Sequence, residues 1–212
     1  MTANGYRVVT VGREYGSGGA AIAGKLAKAI GFELLDRALI ERIAQAARID
    51  PKTAERFDEH VDRWLARLGR AFWHGGFYAV AEVDPEGVVD ADRLAALGAR
   101  IIAQAAAVGG CVIVGRGGQC LLRGRADAFH VFVYAPIGER VLRLRHRLGP
   151  DADVDGVIDA MDRERAAYVR RHFAEHWLDP RLYQLMVNAA IGEDAAVATI
   201  RAALDHGAPR PA

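Results

Sequence analysis

Three consecutive stretches decide the fold: Tyr6-Arg-Val-Val-Thr-Val11, then Gly12-Arg-Glu-Tyr-Gly-Ser-Gly-Gly19, then Ala20 to Ile30. The first is a short run of β-favouring residues and the second a glycine-rich loop. The third is helical by composition, with Gly31 placed to cap its C-terminus. Phe32-Glu-Leu-Leu35 reads as a second strand and Arg37 to Ala47 as a second helix. Strand, glycine loop, helix, strand is the opening of a parallel α/β sheet.

Working outward, the spacing of Phe57, Val61, Trp64, Leu65 and Leu68 is helical, and Asp84-Pro-Glu-Gly87 is a turn. A further helix is expected over Asp90 to Ala107, with Leu94, Leu97, Ile101 and Ile102 on one side. That side suits either the core or a partner. Cys111-Val-Ile-Val114 and Ala128 to Ala135 are apolar runs of the buried-strand type. Pro136 is expected at the first position of a helix over Ile137 to Leu148, stopped by Gly149-Pro150. A charge-rich helix over Asp151 to Ala174, a strand over Leu185 to Asn188 and a helix over Glu193 to Leu204 complete the chain. The expected fold is a P-loop-type doubly wound parallel sheet of about five strands, with a helical insert and an Arg-rich helical lid. One domain spans 1–212: a core of 1–49 and 108–205, an insert of 50–107 and a lid at about 149–180.

Of 212 residues, 51% are hydrophobic and 26% charged, which suits an ordinary globular protein. Lys and Arg number 28 against 27 Asp and Glu. A non-specific nucleic-acid binder needs a large basic surplus, so that class is disfavoured. No apolar run reaches membrane-spanning length, and the N-terminal residues lack a signal-peptide core, so a cytoplasmic location is expected. Cys111 and Cys120 have no metal-ligand spacing and read as buried free thiols. His172 and His176 stand four apart without an evident third ligand, so no metal site is expected. Lysine occurs only at positions 25, 28 and 52, and phosphate chemistry must therefore lean on arginine.

The loop follows a strand and opens a helix, where backbone N–H groups converge on an anion. It does not meet the pattern G-x-x-x-x-G-K-[ST]. With Gly18 as the second glycine, Arg13 stands at the first, Gly19 at the lysine and Ala20 at the magnesium-binding hydroxyl. A tight glycine turn without ligand also satisfies the pattern.

Residues 12–19 resemble the first motif of the cytidylate kinase-like family, which typically reads Arg-(Glu/Gln)-Tyr-Gly-Ser-Gly-Gly. The resemblance continues through Leu34 to Ile40, Val112-Ile-Val-Gly-Arg-Gly117, Asp127 to Pro136 with Glu139-Arg140, and Asp162 to Tyr168 with Trp177, Pro180, Tyr183 and Asn188. It implies phosphoryl transfer from ATP, with Mg²⁺, to a monophosphate such as CMP. It also implies two partners, a nucleoside triphosphate donor and a small phosphate acceptor. No nucleic acid or membrane partner is expected, and the chain is expected as a monomer or homodimer.

Phosphoryl transfer asks a protein mainly for positioning and positive charge. The candidate catalytic residues are Arg13, Arg116, Arg163 and Arg165. The donor phosphates fall to the loop, Gly12, Tyr15, Gly16, Ser17, Gly18, Gly19 and Ala20, and to Arg140 and Arg143. The acceptor falls to Asp36, Arg37, Arg116 and Arg170. Each has a plainer role. Arg13 reads equally as a solvated side chain, Ser17 as a turn residue and Asp36 as a helix N-cap. Glu14 reads as the partner of an arginine or as a magnesium ligand, Arg116 as a structural ion pair, and Tyr168 and Trp177 as packing aromatics. Most arginines of 140–171 also read as solvated side chains of an Arg-rich composition. Two further functions stay open: a nucleotide- or anion-binding protein without kinase activity, and a kinase for a different small-molecule acceptor.

Overall fold

The computed structural model describes residues 5–36, 91–149 and 152–206. The helix expected over Arg37 to Ala47, the spacing around Trp64 and the turn at Asp84–Gly87 lie outside the described residues. In chain order the elements are β1 (Val8–Arg13), α1 (Gly19–Ile30), β2 (Glu33–Leu35), α2 (Ala91–Val108), β3 (Cys111–Val114) and the short α3 (Gly118–Leu121). They continue with β4 (Ala128–Tyr134), α4 (Ile137–Leu148), α5 (Val154–Phe173), β5 (Leu185–Asn188) and α6 (Glu193–His206).

The five strands form one sheet in the order β2-β3-β1-β4-β5, and every pairing is parallel. Side chains alternate across a strand, and β1 shows the consequence. Val9 and Val11 pack with α1 and α6 through Ile22, Leu26, Ile200 and Leu204. Val8 faces the opposite layer, where Ile101, Ile102, Ala105 and Ala106 of α2 meet Cys111 and Ile113 of β3. Both faces are covered, which explains why these strands read as continuous apolar runs.

Three boundaries differ from expectation. β1 starts at Val8 and runs to Arg13, so Gly12 and Arg13 are paired strand residues, level with Phe132 and Val133 of β4, and not loop. Pro136 is the N-cap of α4 and not its first helical residue. The charge-rich helix is shorter than Asp151 to Ala174: Asp153 caps it by accepting from the Gly156 N–H at 3.0 Å, and Ala174 closes it in a left-handed conformation. Gly31 ends α1 at φ 70°, as its residue type requires.

β1 lies between β3 and β4, and the connections leaving β1 and β3 run to opposite faces. The carboxyl ends of β1 and β3 therefore flank the crevice where open α/β sheets bind ligands.

Burial pushes the Cys111 thiol up to about 12 and the Cys120 thiol to about 11. The thiolate is the nucleophile, so at pH 8 iodoacetamide should alkylate Cys120 about a hundredfold, and Cys111 about a thousandfold, more slowly in the native chain than in urea. Mass spectrometry of quenched time points checks this; equal rates would contradict the burial.

Candidate active site

Gly16 and Gly18 adopt φ of 77° and 83°, and α1 begins at Gly19. A Cβ on Gly16 would meet Leu144 Cδ1 at 2.8 Å, so the loop lies directly on α4. Ser17 is fully buried. Its hydroxyl donates to the Glu14 carbonyl at 2.9 Å and accepts from the Gly19 N–H at 3.3 Å. Ser17 therefore braces the turn from within. The Tyr15 N–H, expected among the phosphate donors, donates instead to Asp162 Oδ1 at 2.8 Å. Ala20 is exposed at the start of α1.

Arginines of α4 hold the loop from one side. Arg140, buried among the described residues, donates from Nε to the Tyr15 carbonyl at 2.8 Å. It also pairs with Glu14 at 3.4 Å and with Asp162 at shorter range. Glu14 is thus the partner of an arginine, and its carboxylate also accepts from the Ala135 N–H at 3.1 Å. Arg143 donates to the Gly16 carbonyl at 2.8 Å, and its guanidinium carbon stands 3.5 Å from where a Gly18 Cβ would be. Arg147 donates to the Tyr15 hydroxyl at 2.9 Å, and Arg147 and Arg165 flank the Tyr15 ring at 5.7 and 5.4 Å.

A cavity of about 300 Å³ opens beside the loop. Gly12, Arg13, Gly115 and Arg116 line it from the sheet edge, Glu164, Arg165 and Tyr168 from α5, and Trp177 and Tyr183 from the segment before β5. Arg165 is set by its bond to the Arg13 carbonyl at 2.9 Å and by Asp162 at 3.6 Å. Arg116 sits at φ 54° between Gly115 at 76° and Gly117 at 68°. A left-handed non-glycine residue costs on the order of 1–3 kcal/mol and clusters at ligand sites. Arg116 stands beside Tyr168 and opposes the burial that raises the tyrosine's pKa. The aromatic wall is rigid: the Tyr183 hydroxyl donates to the Trp177 carbonyl at 2.6 Å and accepts from Gln119 at 3.2 Å.

Arg13, Arg116 and Arg165 thus meet at one cavity. Arg163 and Arg170 do not, being exposed on α5 outside its lining. Asp36 directly follows β2 and is not among the residues that line the cavity; Arg37 lies outside the described residues. Asp162, Gln119 and Tyr183 were not foreseen as site-forming. Asp162 had a signal, as the carboxylate leading Asp162-Arg-Glu-Arg165, but nothing in that spacing shows that it caps the Tyr15 N–H. Among the described residues no three His, Cys, Asp or Glu side chains gather as a metal-binding group, and no helix is long and apolar enough to cross a membrane.

Residues 8–191 match the cytidylate kinase-like family. The chain belongs to that family. None of the curated proteins compared matches it. Among solved structures it is similar to an uncharacterized protein from Eubacterium ventriosum, with TM-score 0.69 and 20% identity over 94% of this chain and 98% of that one. It is also similar to the shikimate kinase of Bacteroides thetaiotaomicron, with TM-score 0.52 and 14% identity over 93% and 98%. At these identities the likeness is one of fold. Family and fold together support phosphoryl transfer in general.

Removing one member of a buried charge cluster leaves the others uncompensated. Arg140→Ala should destabilise the chain by about 3 kcal/mol, measured by urea unfolding. A loss below about 1 kcal/mol, the range of a surface ion pair, would show that Glu14 and Asp162 do not depend on it.

Proposed function

We propose that this chain transfers the terminal phosphoryl group of ATP to a nucleoside monophosphate, with CMP or dCMP the preferred acceptor. The observation that carries the reading is the convergence of Arg13, Arg116 and Arg165 on one cavity at the carboxyl edge of the sheet, with the Arg13 stem packed on Gly19 at the head of α1. The choice of CMP rests on membership of the cytidylate kinase-like family.

In this reading the amides of Gly16, Gly18 and Ala20 receive the donor phosphates at the head of α1, the Gly19 N–H being held by Ser17, and Arg143 adds charge beside Gly18. Arg140 acts from behind, fixing the loop through the Tyr15 carbonyl. Arg116 offers a planar fork to the acceptor phosphate. Arg165, held by the Arg13 carbonyl, faces the charge that spreads over the transferred group. Asp36 closes the acceptor side at the end of β2. Helices α4 and α5 form the lid side of one domain. Ala20 gives no hydroxyl to Mg²⁺, so a Mg²⁺ that arrives with ATP would be held by triphosphate oxygens and water, without that protein oxygen.

A second reading, a nucleotide- or anion-binding protein without transfer, is favoured by the same two positions: Gly19 has no amine and Ala20 no hydroxyl. ADP release from ATP and Mg²⁺ with a panel of CMP, dCMP, UMP, AMP and non-nucleotide acceptors separates the two. Turnover should be fastest with CMP or dCMP, and Arg116→Ala should lower kcat/KM by about a hundredfold with little change in unfolding. Micromolar ATP binding without turnover would leave the second reading; no nucleotide binding up to millimolar would sink both.

A further inference from the structure

Gly19 begins α1 at the position where a phosphate-binding loop carries its lysine, and its backbone does not call for glycine. Only at Gly16 and Gly18 does this loop take positive φ. Space calls for it instead. A Cβ at residue 19 would stand 2.6 Å from Arg13 Cβ and 3.1 Å from Arg13 Cγ, with Val133 Cβ at 3.3 Å. The obstructing atoms are the rooted base of the arginine stem, which cannot swing aside as a flexible tip does. A side chain at 19 and this arginine at 13 exclude each other. Farther out, Arg13 Nη1 occupies the place of a Cβ on Gly115, the residue that follows β3. The arginine therefore leaves the last position of β1, crosses above the head of α1 and ends at the β3 loop, in the cavity it shares with Arg116 and Arg165.

Position 13 is also where the loop pattern expects its first glycine. Glycine and cation have changed places. We propose that Arg13 and Gly19 are a reciprocal exchange, in which the guanidinium of Arg13 contacts the transferring phosphate from the volume that a lysine at 19 would otherwise fill. The inference rests on the phosphotransfer reading and names the group that supplies its missing charge. A guanidinium there is planar and always ionised, so it grips two phosphate oxygens where an ammonium is a point charge. The exchange also explains why a loop lacking lysine keeps a glycine at 19 that no dihedral angle demands.

The test is a mutant cycle on the full chain, read by titration with ATP and with inorganic tripolyphosphate, which has no base or sugar. Arg13→Gly should weaken tripolyphosphate binding by about tenfold or more, the loss of a charge-assisted contact. Arg13→Met, which keeps a stem over Gly19 without the charge, should do the same and guards against misfolding of the glycine variant. Gly19→Lys alone should bind worse than wild type, because Arg13 denies its Cβ room. The double variant Arg13→Gly with Gly19→Lys should recover binding to within a few-fold of wild type, a non-additivity expected only of side chains sharing one place. A double variant no tighter than Arg13→Gly, or an Arg13→Met variant as tight as wild type, overturns the exchange while leaving the kinase reading standing. A wild-type chain that binds neither ATP nor tripolyphosphate overturns both.

Discussion

The Arg140 guanidinium, buried between Glu14 and Asp162, is the constraint on which the site depends. Taking three charged groups out of water is costly, and the cluster holds only because its hydrogen-bonding capacity is filled. Arg140 also reaches the Tyr15 carbonyl, while Asp162 accepts the Tyr15 N–H. One peptide segment is gripped at both ends by helices far away in the chain. With Leu144 against Gly16 and Arg143 on the Gly16 carbonyl, the loop becomes a fixed part of α4 and α5. A displacement of α5 from the sheet would have to part Asp162 from Arg140 and from the Tyr15 amide together.

The sheet order gives this clamp its use. With β1 between β3 and β4, the loops after β1 and β3 lie side by side and their chains leave toward opposite faces. Arg13 from one strand end and Arg116 from the next can then reach one cavity, while α5 closes it with Arg165. Arg165 couples the two halves through the Arg13 carbonyl. Arg13 and Arg165 sit on a strand end and a helix, rigid elements that hold geometry better than loops do, and Arg116 on the tight turn after β3. Of these three arginines only Arg116, at φ 54°, sits on a left-handed backbone, with left-handed glycines on both sides.

Much of this was readable in the residues. The apolar runs at Cys111–Val114 and Ala128–Tyr134 announced strands covered on both faces, and Gly31 announced the end of α1. Strand order was not readable, because periodicity reports which residues share a face and not which strand lies beside it. The loop was read one strand-end too early: glycine at 12 suggested a turn, yet Phe132 and Tyr183 pack where its Cβ would be, so it stays in the ladder. The arginines of α4 were the hardest to read. Composition cannot distinguish a solvated arginine from one that holds a carbonyl, and Arg140 does the latter only because Glu14 and Asp162 arrive from distant parts of the chain. Arg163 and Arg165 show the same limit from the other side: two residues apart on α5, only the second faces the cavity.

In the proposed function, residues 16–20 are a phosphate cradle that the Arg140 cluster holds ready before ligand arrives. Amide ¹H–¹⁵N spectra of the labelled chain, recorded as ATP and Mg²⁺ are added, test it most directly. Downfield amide proton shifts are expected at Gly16, Gly18 and Ala20 as their N–H groups take up phosphate oxygens, with the Tyr15 and Gly19 amides staying nearly still because Asp162 and Ser17 already hold them. Unmoved Gly16 and Gly18 amides, or a large shift at Tyr15 that marks its release from Asp162, would contradict a loop built and fixed for phosphate.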